Sequence, residues 1–499
     1  MPRRLRTARL IAAAFAVPLA LVSAAPGAAQ QPSVAPPSLS GAAASPIPGP
    51  SLGDSAITIP IPTVAAGFGG STTAPFAHTP GLTWDLDVLP FEGQERVQRY
   101  VSLFSTSARD RFTEWLRRGS RYDALIRGKL RAGGLPEDLT YLALVESGYD
   151  VHATSRVRAV GMWQFMAETA RDVGLRVDWW VDERRDPVRS TDAAVRTLRW
   201  LKTQFGSYFV AAAAYNGGSG RVARGLAQLA SVDSAGAIPA GDARFFALAD
   251  HDVLHDETKN YVPQLIAAAL VAKEAPRYAI RPSELPPLAY DSVRVPGLTP
   301  LAAVAAASHA SRADLLDLNP HLLRGVTPPG AALLVRVPAG QGAAAAERFA
   351  SLGDEIRRAF HAAVTRKRDT WATLAERVGI PRTWLERYNA GLATVAHGRN
   401  RGHLASGQTV RVPTEAVLAY ARDVPSDGEG PGALPRLAPV ADGAAADDRA
   451  ADRFAATSDA HRPVRAPTTL TPAARGQHVA RAKAQVAVAR LHRRRAGQA

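Results

Sequence analysis

From Trp84 onward, apolar residues recur at three- and four-residue spacings in successive segments, which predicts a mainly α-helical body. A helical lead-in is predicted over 96–130, and Gly133 and Gly134 interrupt it. Beyond Gln164 the same spacing predicts four further helices, over 165–174, 190–205 with Ser190, Thr191 or Asp192 as N-cap, 209–215 and 257–274.

One predicted helix carries a carboxylate on its apolar face. Pro136 can open this helix because the first helical position has no backbone donor to lose, and Leu139, Leu142 and Glu146 then share a face. A carboxylate removed from water has a raised pKa and can donate a proton near neutral pH. Glu146 is therefore a candidate general acid. The alternative is a structural glutamate that caps a neighbouring helix or pairs with an arginine.

The residues that follow Glu146 form an ordered set of motifs. They read E-S-x(5)-A-x-S-x(3)-A-x-G-x-W-Q up to Gln164, and Ala214-Tyr215-Asn216 comes later in the chain. With these motifs, the region from Trp84 to Tyr278 resembles the family 1 lytic transglycosylases of peptidoglycan. It is most similar to the membrane-bound lytic murein transglycosylase D group, in which LysM modules follow the catalytic domain. The resemblance implies a lysozyme-like, mainly α catalytic domain.

The resemblance also implies a reaction and a set of site residues. The reaction cleaves the β-1,4 bond between N-acetylmuramic acid and N-acetylglucosamine without water, and it leaves 1,6-anhydro ends. Glu146 takes the place of the family's acid, which then acts as the base on the sugar's 6-hydroxyl. The substrate-binding residues that the resemblance implies are Ser147, Met162, Gln164, Tyr215, Asn216 and Tyr261.

Some of these residues have alternative roles. Tyr215 is expected to hydrogen-bond the carboxyl, whereas Tyr261 is more readily interpreted as a core aromatic. Gln164 and Asn216 carry amides suited to the acetamido groups of the sugars, but Gln164 can equally brace the loop that precedes it. Met162 lies where the family places a hydrophobic residue.

No motif in the sequence identifies a second catalytic carboxylate. The segment 182–186 encloses Arg184 and Arg185 and predicts an ion-paired surface turn. Because most glycosidases use two carboxylates, the missing partner favours transglycosylation over hydrolysis. A goose-lysozyme-like or chitinolytic hydrolase and a catalytically dead wall-binding scaffold are the alternatives. The acids near the motif are Asp150, Asp172, Asp182, Glu183 and Asp186.

Two smaller units after the helical body, over 290–340 and 360–414, share the order strand, helix, helix, strand. These βααβ units are predicted to be small α+β modules. The second ends with the run from Gly407 to Pro413 (GQTVRVP) and resembles a LysM module, a binder of glycans that contain N-acetylglucosamine. The first has Pro329-Gly330-Ala331 where Gly-Gln is expected, so it is interpreted as a degenerate LysM-like module or as a packing domain without ligand.

The two ends of the chain differ in composition from the rest. Residues 1–29 combine early arginines with an apolar run from Leu10 to Ala25, which predicts a signal peptide. The run is shorter than the roughly 20 residues that a membrane span needs, so cleavage is favoured over an uncleaved anchor. Residues 30–80 predict a disordered linker, and 425–499 predict a disordered tail that is basic at its end. The transglycosylase domain is expected over 84–280.

The amino-acid composition of the chain narrows the kinds of partner that it is expected to bind. The chain has 60 Lys plus Arg, 45 Asp plus Glu and no cysteine, which excludes disulfides, thiolate zinc sites and a lipid anchor on cysteine. The net charge of +15 favours anionic partners, and the export signal favours peptidoglycan strands of the periplasm or cell envelope over nucleic acid. The basic tail is a candidate for peripheral contact with an anionic wall or membrane surface. No cofactor or metal is predicted, and a monomer is expected.

Overall fold

The computed structural model describes residues 78–232, 238–392, 394 and 402–422. The predicted signal peptide 1–29, nearly all of the linker 30–80 and the tail 425–499 lie outside the described residues. Among the residues that are described, no helix is both long enough and apolar enough to cross a membrane.

The described chain is mainly helical and contains two small sheets, which confirms the predicted fold class. The helical body carries α1 Glu95–Ser105, α2 Arg109–Ser120, α3 Asp123–Ala132, α4 Thr140–Ser147, α5 Ala167–Asp172, α6 Pro187–Phe205, α7 Tyr208–Gly217, α8 Ser219–Val232, α9 Arg244–Ala249 and α10 Asp256–Lys273. The C-terminal region carries β1 Tyr290–Val295, α11 Leu301–Ser308, α12 Arg312–Leu318, β2 Leu333–Pro338, α13 Gly342–Ser351, α14 Asp354–Arg357, β3 Phe360–Val364, α15 Trp371–Val378, α16 Arg382–Tyr388, β4 Thr409–Pro413 and α17 Glu415–Ala419.

Helix α6 begins earlier than predicted. Its N-cap is Asp186, whose carboxylate accepts hydrogen bonds from the backbone amides of Val188 and Arg189. Pro187 occupies the first turn, where its missing amide costs nothing. The prediction of a cap at Ser190, Thr191 or Asp192 is therefore wrong, because a stronger cap with a proline after it lies upstream.

The two sheets belong to two βααβ modules with a common internal scaffold. Strand β1 pairs antiparallel with β2, and β3 pairs antiparallel with β4. In the first module, Asn319 donates to the carbonyl of Arg336 at 2.8 Å and accepts from its amide at 2.9 Å. In the second, Asn389 makes the same two bonds to Arg411, at 2.8 and 2.7 Å. The module interpreted from sequence as degenerate therefore keeps the backbone scaffold of the other.

Two hydrophobic clusters organise the described chain. The first contains side chains from Leu86 to Ile280 and forms the core of the helical body. The second contains side chains of both modules and, in addition, Trp179, Trp180 and Val181. These three residues lie between α5 and α6, so the helical body contributes part of its own chain to the core of the modules.

Candidate active site

Glu146 lies in a helix that is buried on all sides. Every residue of α4 is buried, and Glu146 is 1% exposed. The helix ends at Gly148, which adopts a left-handed conformation with φ of +60°. A Cβ at this position would lie 2.1 Å from the Trp115 ring, so only glycine lets α4 end against that ring. Burial of Glu146 thus results from packing around the whole helix and not from one apolar stripe.

The carboxylate of Glu146 has one close partner within the described residues. Tyr261 of α10 donates its hydroxyl to Glu146 Oε1 at 2.6 Å. The other oxygen, Oε2, is buried and has no hydrogen-bond partner in the part of the chain that the structure describes. A buried carboxylate with one oxygen free is suited to present a proton to a bound molecule.

Burial raises the pKa of Glu146 to about 8. The hydrogen bond from Tyr261 opposes this rise, because it stabilises the carboxylate, and the negative charge of Glu257 adds to it. The group is therefore mostly protonated at neutral pH. A general acid needs this state, and a pKa near the working pH lets the same group act as a base afterwards.

Tyr215 lies close to Glu146 but has a different hydrogen bond from the predicted one. Its hydroxyl donates to the carbonyl of Trp163 at 2.9 Å. The prediction that Tyr215 hydrogen-bonds the carboxyl is wrong, and Tyr261, which was ranked below Tyr215 as a site residue, makes that bond instead. Both tyrosines are buried, and burial raises the pKa of both well above 10, so both remain donors.

The loop between α4 and α5, residues 148–166, is here called the site loop. Ser147 donates to the carbonyl of Met162 at 2.9 Å, and Gln164 donates its side-chain amide to the carbonyl of Gly161 at 2.8 Å. Trp163 donates its indole nitrogen to Thr191 of α6 at 3.0 Å. Ser147, Met162 and Gln164 are all buried, and the bonds that the structure gives them hold the loop.

Asn216 connects α7 to the start of α10. Its amide nitrogen lies 3.4 Å from Glu257 Oε1, and its oxygen accepts from Thr258 at 2.8 Å. Of the six predicted substrate-binding residues, Tyr261 contacts Glu146 directly and Tyr215 lies close to it. Ser147 is the residue after Glu146 in α4. The hydrogen bonds of Met162, Gln164 and Asn216 are made to backbone or side-chain groups around the acid.

Sequence reasoning missed Glu257 as an acid near Glu146. Glu257 and Tyr261 are four residues apart on α10, so they lie on the same helical face, and this spacing could have revealed the site. Two of the five acids considered from the sequence, Asp182 and Asp186, are instead buried in ion pairs with arginines. Within the described ranges, no group of three or more His, Asp or Glu side chains is arranged to hold a metal ion.

Two family models match the chain. Residues 124–235 match the Transglycosylase SLT domain, and this range contains Glu146, the site loop and Asn216. Residues 289–354 match the LysM-like domain of lytic transglycosylase MltD and contain the first βααβ module. The module interpreted from sequence as the weaker of the two is therefore one that a family model identifies.

Two relatives and one solved structure are similar to this chain, each over only part of its own length. Membrane-bound lytic murein transglycosylase D of Escherichia coli strain K12 is 30% identical over 288 residues, which cover 54% of this chain and 60% of the relative. Peptidoglycan transglycosylase gp16 of Escherichia phage T7 is 33% identical over 153 residues, which cover 30% of this chain and 10% of the relative. The solved 70-kDa soluble lytic transglycosylase of Escherichia coli matches with 24% identity and a TM-score of 0.26, covering 31% of this chain and 24% of that one.

The two family models and the similarity to membrane-bound lytic murein transglycosylase D confirm the resemblance inferred from the motifs. The chain carries a transglycosylase SLT domain followed by an MltD LysM-like domain, and it is homologous to membrane-bound lytic murein transglycosylase D of Escherichia coli.

Proposed function

We propose that this protein is a peptidoglycan lytic transglycosylase that cleaves the β-1,4 bond between N-acetylmuramic acid and N-acetylglucosamine without water. The observation that carries the proposal is Glu146, a buried carboxylic acid with a pKa of about 8, inside the range that matches the SLT domain. An acid in this state can protonate a glycosidic oxygen at neutral pH.

In the proposed reaction, Glu146 gives its proton to the oxygen that leaves from C1 of the muramic acid, and the C1–O bond breaks. The carboxylate that results keeps the hydrogen bond from Tyr261. It then accepts the proton of the sugar's own 6-hydroxyl while that oxygen bonds to C1. The 1,6-anhydro ring closes, the proton returns to Glu146, and no water is consumed.

The remaining site residues support this chemistry by position. Tyr261 fixes one oxygen of Glu146, and Tyr215 and Ser147 hold the site loop beside it. We assign substrate contacts to Ser147, Met162, Gln164, Tyr215, Asn216 and Tyr261 on the basis of the resemblance. Asn216 lies beside Glu257, so it is the amide best placed to link a bound sugar to that carboxylate.

A hydrolase that uses the same acid is the second candidate, and Glu257 is the observation that favours it. Hydrolysis needs a second carboxylate to activate water or to form a covalent intermediate. The negative charge of Glu257 acts on Glu146, so a second carboxylate is present near the acid.

Mass spectrometry of muropeptides released from purified peptidoglycan separates the two candidates. The native protein is expected to release anhydro products, E146Q none, and E257Q the same anhydro products at a lower rate. Products one water heavier, lost in E257Q, would establish the hydrolase. If the native protein binds peptidoglycan but releases no product, the result would indicate a wall-binding scaffold without activity.

We further propose that the protein acts in the periplasm or cell envelope, without a lipid anchor. The composition of residues 1–29 supports export, and the absence of cysteine removes the residue that a lipoprotein anchor requires. The LysM-like modules would then hold the enzyme on glycan strands. N-terminal sequencing of the protein recovered from the envelope tests the cleavage, and an intact Met1 would refute it.

A further inference from the structure

The segment 177–187, here called the connector, is buried and not the surface turn that its charges predict. Four of its five central charged residues, Asp182, Arg184, Arg185 and Asp186, are each at most 5% exposed, and Glu183 is half-buried. Arg184 makes two bonds to the carboxylate of Asp182, at 2.8 and 2.9 Å. Burying paired charges is costly unless further hydrogen bonds satisfy them, so the surroundings of the connector must supply such partners.

One side of the connector holds the site loop. Arg184 donates to the carbonyls of Phe165 and Arg158, at 3.2 and 3.3 Å. Arg185 donates to the carbonyl of His152 at 3.0 Å and to Thr154 Oγ1 at 3.2 Å. The two guanidinium groups therefore fix the first part of the loop and both flanks of Met162 and Trp163, whose carbonyls accept from Ser147 and Tyr215.

The other side of the connector pairs with the loop between α12 and β2 of the first βααβ module through an isolated antiparallel bridge, Val181 to Leu322. The amide of Asp182 donates to the carbonyl of His321, and the amide of Leu323 donates to the carbonyl of Trp180, both at 3.0 Å. Arg324 donates to the carbonyl of Trp179 at 2.9 Å, and its guanidinium lies 4.7 Å from the centre of the Trp179 ring.

A buried ion pair joins the same module to the start of α6. Both carboxylate oxygens of Asp186 accept from Arg336 of β2, at 2.8 and 2.7 Å. Burial would raise the pKa of Asp186, but His321 and Arg336 hold it below its usual range. Burial also lowers the pKa of His321 to about 4, so Arg336 is the positive partner at neutral pH.

The second module packs against the same segment through aromatic rings. Trp179 lies edge-on to Trp384, with ring centres 5.1 Å apart, and Trp180 lies 5.2 Å from Tyr388. Both partner rings belong to α16. The connector thus contacts the site loop and both modules at once, which a flexible tether between domains would not do.

We propose that Arg336 is a positioning residue for catalysis, and that the LysM-like modules form part of the frame that holds the site loop next to Glu146. Arg336 fixes Asp186, and the connector carries this constraint to the backbone of the loop through Arg184 and Arg185. The inference rests on the proposed function for its kinetic consequence, but its structural consequence can be measured without any activity.

The test compares R336M with R411M in the full chain. The two arginines hold equivalent places in β2 and β4: each bonds to the module's asparagine, and each stacks on a ring, Tyr290 at 4.8 Å and Phe360 at 5.0 Å. Only Arg336 reaches Asp186. Methionine keeps much of the apolar stem in both variants, so the difference between them reports the polar contacts of the buried Arg336 guanidinium, which are the ion pair with Asp186 and one bond to the carbonyl of Leu318.

On a soluble tetrasaccharide muropeptide, R336M is expected to lose about five- to tenfold in kcat with little change in KM, which is the usual scale of coupling between sites. R411M is expected to keep the native kcat, and R336K to recover part of the loss. D186N, which retains a helix cap, is expected to match R336M. Binding to insoluble peptidoglycan is expected to stay at the native level in R336M.

Hydrogen exchange followed by mass spectrometry supplies the readout that does not need activity. Faster exchange of residues 150–165 is expected in R336M and D186N but not in R411M. Equal exchange and equal kcat in R336M and R411M would overturn the inference and leave the modules as tethers. If the native protein releases no anhydro product, the proposed function fails, while the exchange comparison still decides the structural coupling.

Discussion

Replacing Glu146 with glutamine is expected to change how stability depends on pH. In the unfolded chain the carboxyl has its ordinary pKa of 4.5, and in the folded protein burial raises this pKa to about 8. A group with a raised folded-state pKa contributes stability that is fully present below the unfolded pKa and lost as pH rises through the folded pKa. The native protein should therefore lose stability between pH 4.5 and 8.

The size of the loss follows from the gap between the two pKa values. At about 1.4 kcal/mol per pH unit, the unfolding free energy falls by about 3 kcal/mol between pH 4 and 7, and by about 5 kcal/mol in total above pH 8. E146Q has no ionisable group at this position and should lack this slope. Glutamine can still accept from Tyr261, and its amide in place of Oε2 adds a cost that does not depend on pH.

Urea unfolding from pH 4 to 9, followed by far-UV circular dichroism and by hydrogen exchange of the α4 amides, measures the difference between the two proteins. The control is E168Q, which makes the same chemical change at an exposed position of α5 and should follow the native protein. A native-minus-E146Q difference that stays flat across this pH range would refute the reasoning that burial keeps Glu146 protonated.

Three further predictions concern the neighbours of Glu146 and the packing of the site loop against the connector. Y261F removes the hydrogen bond that lowers the pKa of Glu146, so the alkaline limb of the profile of kcat against pH should move up by about one pH unit. E257Q removes a nearby negative charge and should move the same limb down. A shift in the same direction for both variants would contradict the assignment of this limb to Glu146. Y215F loses its bond to the Trp163 carbonyl and should cost about 1 kcal/mol of stability without moving that limb. G161A should destabilise the protein by about 3 kcal/mol in thermal or urea unfolding, because the added Cβ would lie 2.0 Å from the Arg184 carbonyl oxygen. The control G134A, where φ is +68° and the space around the glycine is open, should cost about 1 kcal/mol. Equal losses in the two variants would refute the close packing of the connector.

Much of the local structure could be predicted from the sequence. The spacing of apolar residues predicts most helices of the body but not α8 or α9, and α10 at Asp256–Lys273 differs by one residue at each end from the predicted 257–274. Gly206 ends α6 in a left-handed conformation, as its position after Phe205 indicates. The βααβ order of both modules also follows from sequence. These features depend on residues that are near each other in the chain.

The partner of the acid was decided only by the tertiary structure. Tyr261 lies 115 residues from Glu146, and both Tyr215 and Tyr261 are buried aromatics on helices that pack together. Periodicity tells which face of a helix is buried, but the side chain that meets Glu146 depends on the crossing angle and axial position of α4, α7 and α10. The same limit explains why Glu257 was missed.

The connector shows most clearly which features follow from the sequence and which follow only from the tertiary structure. The sequence by itself indicated ion pairs within the segment 182–186, and Arg184 and Arg185 do pair with Asp182, whereas Asp186 pairs with the distant Arg336. Only the tertiary structure decided that these pairs are buried, since burial requires distant groups, the site-loop carbonyls and Arg336, to replace the water that such charges lose.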